Sequence, residues 1–300
     1  MKLAAIDIGT NSTRLLIAEY LGGNYKVLER DMITTRLGEG VDKNSFLSEK
    51  AITRTINAVK KFANNIKKHN IKKVKLVGTS ALRDVNNNNK FSDILEEKTG
   101  YKLNIITGKK EAELIYKGVS TDLEEKNYRI VDIGGGSTEF IWSNENTIEM
   151  KSYDIGAVRL TERFISDIQK PLSKKEYNNI KQEVEKTITR LSKKEIADKT
   201  VIGVGGTITT LGAMDLGMTE YKSNKLHKHK LYHDSINQTL EQITGLSLNQ
   251  RKDLTGLKPE RADIITAGNI ILNTIIEYYS YEFIMISERD ILFGMIKELQ

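Results

Sequence analysis

Two stretches of this chain repeat one another in the features that chemistry needs. Ala5-Ile6-Asp7-Ile8-Gly9-Thr10-Asn11-Ser12-Thr13 and Ile130-Val131-Asp132-Ile133-Gly134-Gly135-Gly136-Ser137-Thr138 both read as an apolar strand, an aspartate, an isoleucine and a glycine-and-hydroxyl turn that leads into a second strand. Such a turn exposes backbone N–H groups and hydroxyls in a concavity that suits a phosphate oxygen. Gly and Asn at one hairpin are ordinary turn formers. The duplication makes them a phosphate-binding expectation, over Gly9, Thr10, Asn11 and Ser12 in the first copy and Gly134, Gly135, Gly136, Ser137 and Thr138 in the second. Asp7 and Asp132 stand where a divalent cation would bridge carboxylate and phosphate oxygens, and Mg²⁺ is commonly held by one or two carboxylates plus phosphates and water. An aspartate at a strand end also caps neighbouring N–H groups, and that reading stays open. A third turn runs from the strand Val201–Val204 through Gly205, Gly206 and Thr207 into a helix, whose N-terminus attracts anions. It is neither a Walker A loop, since no lysine follows, nor a Rossmann fingerprint.

These turns need elements to hold them. Leu3–Ile8, Thr13–Tyr20 and Asn24–Arg30 read as three strands of an antiparallel meander, joined by the Gly9–Ser12 turn and a Gly22-Gly23-Asn24 turn. From Ser48 to His69, Ala51, Ile52, Ile56, Val59, Phe62, Ala63 and Ile66 recur at helical spacing, with Ser48 as N-cap. A strand at Val74–Val77, a helix over Phe91–Thr99 ending at Gly100, a strand at Leu103–Ile106 and a helix over Lys109–Gly118 complete a first lobe. At Tyr128 the pattern restarts, with strands at Arg129–Ile133, Thr138–Ser143 and Thr147–Ser152 and helices over Val158–Ile168 and Ser173–Leu191. Val201–Val204, a long helix over Asp263–Tyr279 and a strand at Phe283–Ile286 finish the second lobe. Repeats this far apart predict a duplicated domain rather than a solenoid. The expected fold class is therefore α/β with two domains, 1–123 and 124–287, and a last helix at about 288–300 that packs back on the first. The duplicated turns are expected to face each other across the cleft between the lobes.

Several further segments, in order, carry a family resemblance. DIGTNSTRLLIAE from Asp7, VGTSALRD from Val77, ITGKKEAELIYKGV from Ile106, VDIGGGSTEF from Val131, DIGAVRLTERF from Asp154, VIGVGGTITTLGAM from Val201 and ERADIITAGNIIL from Glu260 resemble the exopolyphosphatase/guanosine pentaphosphate phosphohydrolase family. That family is a branch of the actin-like phosphotransferase superfamily, and the resemblance covers nearly the whole chain. It implies two RNase H-like (actin-like ATPase) lobes and a hydrolase that uses Mg²⁺, or another divalent cation such as Mn²⁺. The implied reaction releases the terminal phosphate of inorganic polyphosphate, of guanosine pentaphosphate, or of both. By the same resemblance Glu111 is the general base for the attacking water, Glu139 is a second essential carboxylate, and a homodimer is implied.

Breaking an anhydride with water does need a carboxylate to orient the water and positive charge for the equatorial oxygens. Arg83, just beyond a predicted strand, is assigned to clamp phosphate, because a guanidinium forks onto two oxygens. Glu111 also reads as a first-turn capping glutamate, in a position where the helix dipole lowers a carboxylate's pKa and weakens it as a base. Arg261 and Asp263 head the long helix and read either as its caps or as cleft-facing residues, the structural role being favoured. Leu292 stands where relatives carry an arginine, with Arg289 as a substitute from another turn of the chain. The Lys222–His233 stretch holds Lys222, Lys225, His227, Lys228, His229, Lys230 and His233. It reads as a mobile strip that tracks a polyanion or as a solvated loop, not as a zinc site, since its lysines repel a cation. A kinase of the same fold and a non-catalytic sensor of alarmone or polyphosphate are the alternatives; two glutamates aimed at water argue against both.

Composition sets outer limits. In 300 residues, 39 % are hydrophobic and 29 % charged, which is the composition of a folded globular chain. Lys plus Arg number 46 against 40 Asp plus Glu, a formal net charge of +6 that favours a polyanionic partner. With no cysteine there is neither a disulfide framework nor a thiolate metal site, which suits a reducing cytoplasm. No apolar run approaches a membrane span, and Asp7 interrupts the N-terminal apolar run too early for a signal peptide. The expected partners are small polyanions, with neither nucleic acid nor membrane.

Overall fold

A strand read as continuously apolar must be covered on both faces, and the first strand meets that requirement. In the computed structural model, which describes residues 1–83, 85–123, 128–144, 147–189, 191 and 200–300, β1 (Lys2–Ile8) buries every residue after Lys2. Asp84, the expected boundary at residue 124 and residue 190 of the Ser173–Leu191 helix lie outside the described residues. The chain divides into two units, residues 1–122 with 289–300, and residues 123–288.

In the first unit, β1, β2 (Ser12–Leu21) and β3 (Asn24–Thr34) form an antiparallel meander, and β3 continues past its expected end at Arg30. Next come α1 (Glu49–Lys68), capped by the Ser48 hydroxyl on Ala51 N, and β4 (Lys73–Gly78), parallel to β1. After α2 (Asn88–Thr99), closed by Gly100 at φ 74°, the expected Leu103–Ile106 strand shrinks to β5 (Asn104–Ile105). α3 (Gly108–Val119) follows, capped by Thr107 on Lys110 N. The sheet order is β3-β2-β1-β4-β5. Alternation assigns the faces: Ala4, Ile6 and Ile8 join Ile52, Ile56, Val59 and Phe62 of α1 in one core. Leu3, Ala5 and Asp7 therefore point to the other face.

The second unit repeats the plan. β6 (Tyr128–Ile133), β7 (Thr138–Asn144) and β8 (Thr147–Tyr153) form its meander. α4 (Ala157–Phe164), α5 (Lys174–Ile188), β9 (Thr200–Val204) and α6 (Gly206–Asp215) come next, with β9 parallel to β6. β10 (Lys230–Tyr232), α7 (His233–Thr244), α8 (Ile265–Tyr279) and β11 (Phe283–Ile286) complete a sheet of order β10-β11-β9-β6-β7-β8. α4 stops short of the expected Ile168 because the Glu176 carboxylate draws the chain away, accepting from Ser166 N at 2.9 Å and Ser173 N at 3.0 Å. The Lys222–His233 stretch is not a loop throughout: it contains a short helix, Ser223–Leu226, and the edge strand β10. The long helix starts at Ile265, after a 3₁₀ turn at Pro259–Arg261. No described helix is long and apolar enough to cross a membrane.

α9 (Ile291–Glu298) belongs to the first unit, where it crosses α3 at two reciprocal glycines. A Cβ on Gly118 would come within 1.9 Å of Asp290 O, and one on Gly294 within 1.9 Å of Leu114 O. At the far end of α9 the Glu298 carboxylate accepts from Lys75 Nζ at 2.5 Å, Lys110 Nζ at 2.6 Å and Lys117 Nζ at 2.7 Å. Burial pushes its pKa up, but the three lysines win and hold it at about 2. A depressed carboxylate contributes stability that is complete above its unfolded value and is lost as pH falls through the folded one. Glu298→Gln is therefore expected to cost about 1–2 kcal/mol at pH 7, allowing for solvent screening. In urea unfolding the gap to the parent protein should close progressively between about pH 4.5 and 2.

Candidate active site

The duplicated turns are built alike. Gly9 N donates to Ser12 O at 3.0 Å, and Gly134 N to Ser137 O at 3.0 Å. A Cβ on Gly9 or on Gly134 would sit 3.2 Å from the same oxygen. Outer carbonyls are also engaged in both. Thr10 O accepts from Gly38 N, and Asn11 O from Thr35 N and Arg36 N. Gly134 O accepts from Ala157 N, and Gly135 O from Val158 N and Arg159 N. In a trans peptide the next residue's N–H points opposite the carbonyl, so these captures turn successive N–H groups the other way. Asn11, Ser12 and Ser137 are largely buried. Thr138 departs from the expected phosphate-binding set: it is fully buried and its hydroxyl donates to Ile155 O at 2.5 Å, a strand-anchoring contact.

The third turn lies against the second. Gly205 has φ +90°, where a side chain is strained, and a Cβ there would fall 2.3 Å from Asp132 Oδ1. A Cβ on Gly206 would fall 2.2 Å from Arg261 Nη2. Asp132 and the Arg261 guanidinium are thus both at this turn, and Arg261, read from sequence as structural, sits at the N-terminus of α6. Thr207 is buried, with its hydroxyl turned towards α8: a Cβ on Gly268 would lie 2.9 Å from Thr207 Oγ1.

Each aspartate has a cross-strand partner seven residues on, and the two partners have opposite charge. In the first unit Asp7 pairs with Arg14, whose Nε and Nη2 donate to Asp7 Oδ2 at 2.9 and 2.5 Å. Arg14 Nη1 reaches on to Asp290 Oδ2 at 2.6 Å, and Arg30 Nη2 lies 3.5 Å from the same oxygen. Burial pushes the Asp7 carboxyl above its ordinary range, against the pull of Arg14. In the second unit Asp132 stands opposite Glu139, which is 3 % exposed and whose Oε1 accepts from Ser152 Oγ at 2.7 Å. Arg14 was legible in principle, since it occupies in the first copy the place of Glu139 in the second, but its cationic character hid the correspondence.

Arg83 and Glu111 are brought together. Arg83 Nη1 donates to Glu111 Oε2 at 2.7 Å and to Ile106 O at 3.1 Å. Arg83 thus closes the short helix Ser80–Arg83 that follows β4 and sits on the carboxylate. The dipole argument for a weakened Glu111 does not prevail. Burial is the larger effect and raises its carboxyl above the usual glutamate range, with Arg83 opposing and the Asp7 charge adding to the rise.

The residues fit a divalent cation. Asp7 Oδ1 is buried without a hydrogen-bond partner, so one lone-pair-bearing oxygen is left over from the Arg14 contact. In the second unit Asp132 and Glu139 stand opposite each other on the hairpin, with the Arg261 guanidinium at the adjoining Gly205–Gly206 turn. Among the described residues no group of three His, Asp or Glu forms a ready-made metal cluster. The histidines of the basic stretch are engaged separately: His229 Nε2 lies 2.6 Å from Asp215 Oδ2, His227 Nδ1 accepts from Glu288 N, and His233 Nε2 meets Asn237 Nδ2. Leu292 is buried in α9, and Arg289 stacks on the Phe293 ring at 3.9 Å, near Asp122.

Residues 16–299 match the sequence profile described as the Ppx/GppA phosphatase family. The bifunctional 3-dehydroquinate synthase/phosphatase of Fusobacterium nucleatum is 39 % identical over 98 % of this chain, which spans 46 % of that longer relative. Exopolyphosphatase 2 of Mycobacterium tuberculosis is 33 % identical over 99 % of this chain and 98 % of its own length. The crystal structure of the Aquifex aeolicus member of the Ppx/GppA protein family superposes with a TM-score of 0.82 at 29 % identity, covering 99 % of this chain and 97 % of that one.

Arg14 is the cation that the geometry gives Asp7. Arg14→Met, which leaves that carboxylate buried without its partner, is expected to destabilise the protein by about 3–5 kcal/mol in urea unfolding. Adding Asp7→Asn should recover a substantial part of the loss, the signature of a coupled pair.

Proposed function

The chain belongs to the Ppx/GppA phosphatase family, and on that premise we propose that it hydrolyses phosphoanhydrides, releasing the terminal phosphate of inorganic polyphosphate, guanosine pentaphosphate or both. One observation carries the reading: a glutamate, Glu111, fixed in place by Arg83 Nη1 at 2.7 Å, with burial raising its carboxyl above the ordinary glutamate range. A base is most effective when its pKa approaches the working pH, and here desolvation supplies the shift. Ionised Glu111 accepts a proton from the attacking water as the water oxygen bonds to the terminal phosphorus; the anhydride P–O bond breaks, and the shortened chain leaves with its electron pair. Arg83 orients the carboxylate and adds positive charge beside the phosphoryl oxygens. N–H groups of the Gly9–Ser12 and Gly134–Ser137 turns, and Arg261 beside Gly206, hold phosphate oxygens. Asp7 in the first unit and Asp132 in the second are the carboxylates that would hold a divalent cation, which would spread the negative charge of the phosphate groups. The motifs that carry the family resemblance do not separate the two polyanions.

The assay that tests this offers polyphosphate and guanosine pentaphosphate together with Mg²⁺ and follows both products. Release of phosphate from neither substrate would overturn the reading. Phosphoryl transfer from ATP to a sugar in a parallel panel would replace it with a kinase. Glu111→Gln is expected to lower kcat by about 10²–10⁴-fold. Because the ionised form is the base and its pKa is raised, the parent activity should fall, as pH drops, at a higher pH than an ordinary glutamate would give. Arg83 opposes that rise, so Arg83→Met should move the acid limb of the pH–rate profile further up. A limb that stays put or moves down would remove Glu111 as the titrating group.

A further inference from the structure

One side chain in the second unit has a contact that the reaction scheme leaves unused. Three successive carbonyls of the Gly134–Gly136 turn are taken up on one side. Gly134 O accepts from Ala157 N at 3.0 Å, Gly135 O from Val158 N at 2.9 Å and Arg159 N at 3.1 Å, and Gly136 O from Arg159 Nε at 2.8 Å. The first three donors are backbone groups at the start of α4 and do not depend on which side chains follow. The fourth exists only because residue 159 is an arginine. Its side chain is 15 % exposed, and its Nη2 end lies 3.6 Å from Asp154 Oδ1, so the guanidinium is held from both sides.

The carbonyl it grips controls a donor. The N–H of Ser137 shares a peptide plane with Gly136 O and points the opposite way. Glycine lacks the Cβ that restricts φ and ψ, so the planes flanking Gly135 and Gly136 rotate more freely than those of other residues. The chain is crowded on this side, because a Cβ on Gly156 would fall 2.4 Å from Gly135 O and from Gly136 C. Crowding fixes where the turn lies, while the Arg159 contact fixes which way its last peptide faces. In the first turn, Gly38, Thr35 and Arg36 secure the carbonyls through backbone N–H groups.

We propose that Arg159 is a positioning residue that locks the Gly136–Ser137 peptide with its N–H turned away from α4, preorganised to donate to the phosphoryl oxygens as they gain charge in the transition state. This rests on reading the Gly134–Ser137 turn as a phosphate holder. A fixed donor aimed at developing charge acts mainly on kcat, because it needs no reorganisation during the reaction.

The test compares Arg159→Ala, Arg159→Lys and Ser137→Ala with the parent enzyme on polyphosphate and Mg²⁺, and measures inhibition by orthovanadate as a transition-state mimic. Arg159→Ala is expected to lower kcat by about 10–100-fold, with KM changed less than about threefold, and to weaken vanadate by a factor similar to the loss in kcat. Added guanidinium chloride at millimolar concentration should restore part of the rate in Arg159→Ala and none in Ser137→Ala. Arg159→Lys keeps a donor but not the planar group, and should fall between; it carries the test if the alanine variant does not fold. Parent-like kcat and vanadate affinity in the Arg159 variants, with Ser137→Ala impaired, would overturn the positioning role and leave the phosphate turn standing. Parent-like behaviour in all three variants would overturn the positioning role and any part played by the Ser137 hydroxyl. A lowered melting temperature with unchanged vanadate affinity would reduce Arg159 to a structural contact and likewise overturn the proposal.

Discussion

A carboxylate at the end of a buried strand must find positive charge, and the way each unit meets that demand sets its character. The two units share the frame of strand, aspartate, glycine-and-hydroxyl turn and strand, down to the same closing hydrogen bond from Gly9 to Ser12 and from Gly134 to Ser137. They diverge at the residue that faces the aspartate across the hairpin. Arg14 answers Asp7 with a two-point contact, whereas Glu139 faces Asp132 and adds a second negative charge. In the first copy the hairpin itself supplies the cation, whereas in the second it supplies a carboxylate and the Arg261 guanidinium stands at the adjoining Gly205–Gly206 turn.

In the first unit the consequence spreads through α9. Asp290 caps this helix through Leu292 N and also shares Arg14 with Asp7. At the other end Glu298 holds Lys110, the residue before Glu111. Between them the reciprocal glycines let α9 approach α3 at backbone distance. The helix that carries Glu111 is thus fixed at both ends of its contact with one partner.

Much of this was legible in the letters. The meanders, the Ser48 cap, the Gly100 stop and the duplicated turns followed from periodicity and turn chemistry, because those signals are local. What escaped was set by distant groups. α4 ends early because of Glu176, and β10 exists because β11 offers it an edge. Thr138 looked like a ligand for phosphate until Ile155 O claimed its hydroxyl. Arg261 looked like a helix cap, yet its guanidinium stands at Gly206. Glu111 was expected to be acidified by its helix, and burial reversed the sign. In each case burial or a group distant in the chain, which local pattern does not encode, set the outcome.

The placement of α9 also bears on synthesis. Residues 289–300 complete the first unit, yet they follow all of residues 123–288 in the chain. On a ribosome, residues 1–122 emerge first, and the helix that closes against Gly118 emerges only after the whole second unit has been translated. Completion of the first unit is therefore the last event that synthesis permits.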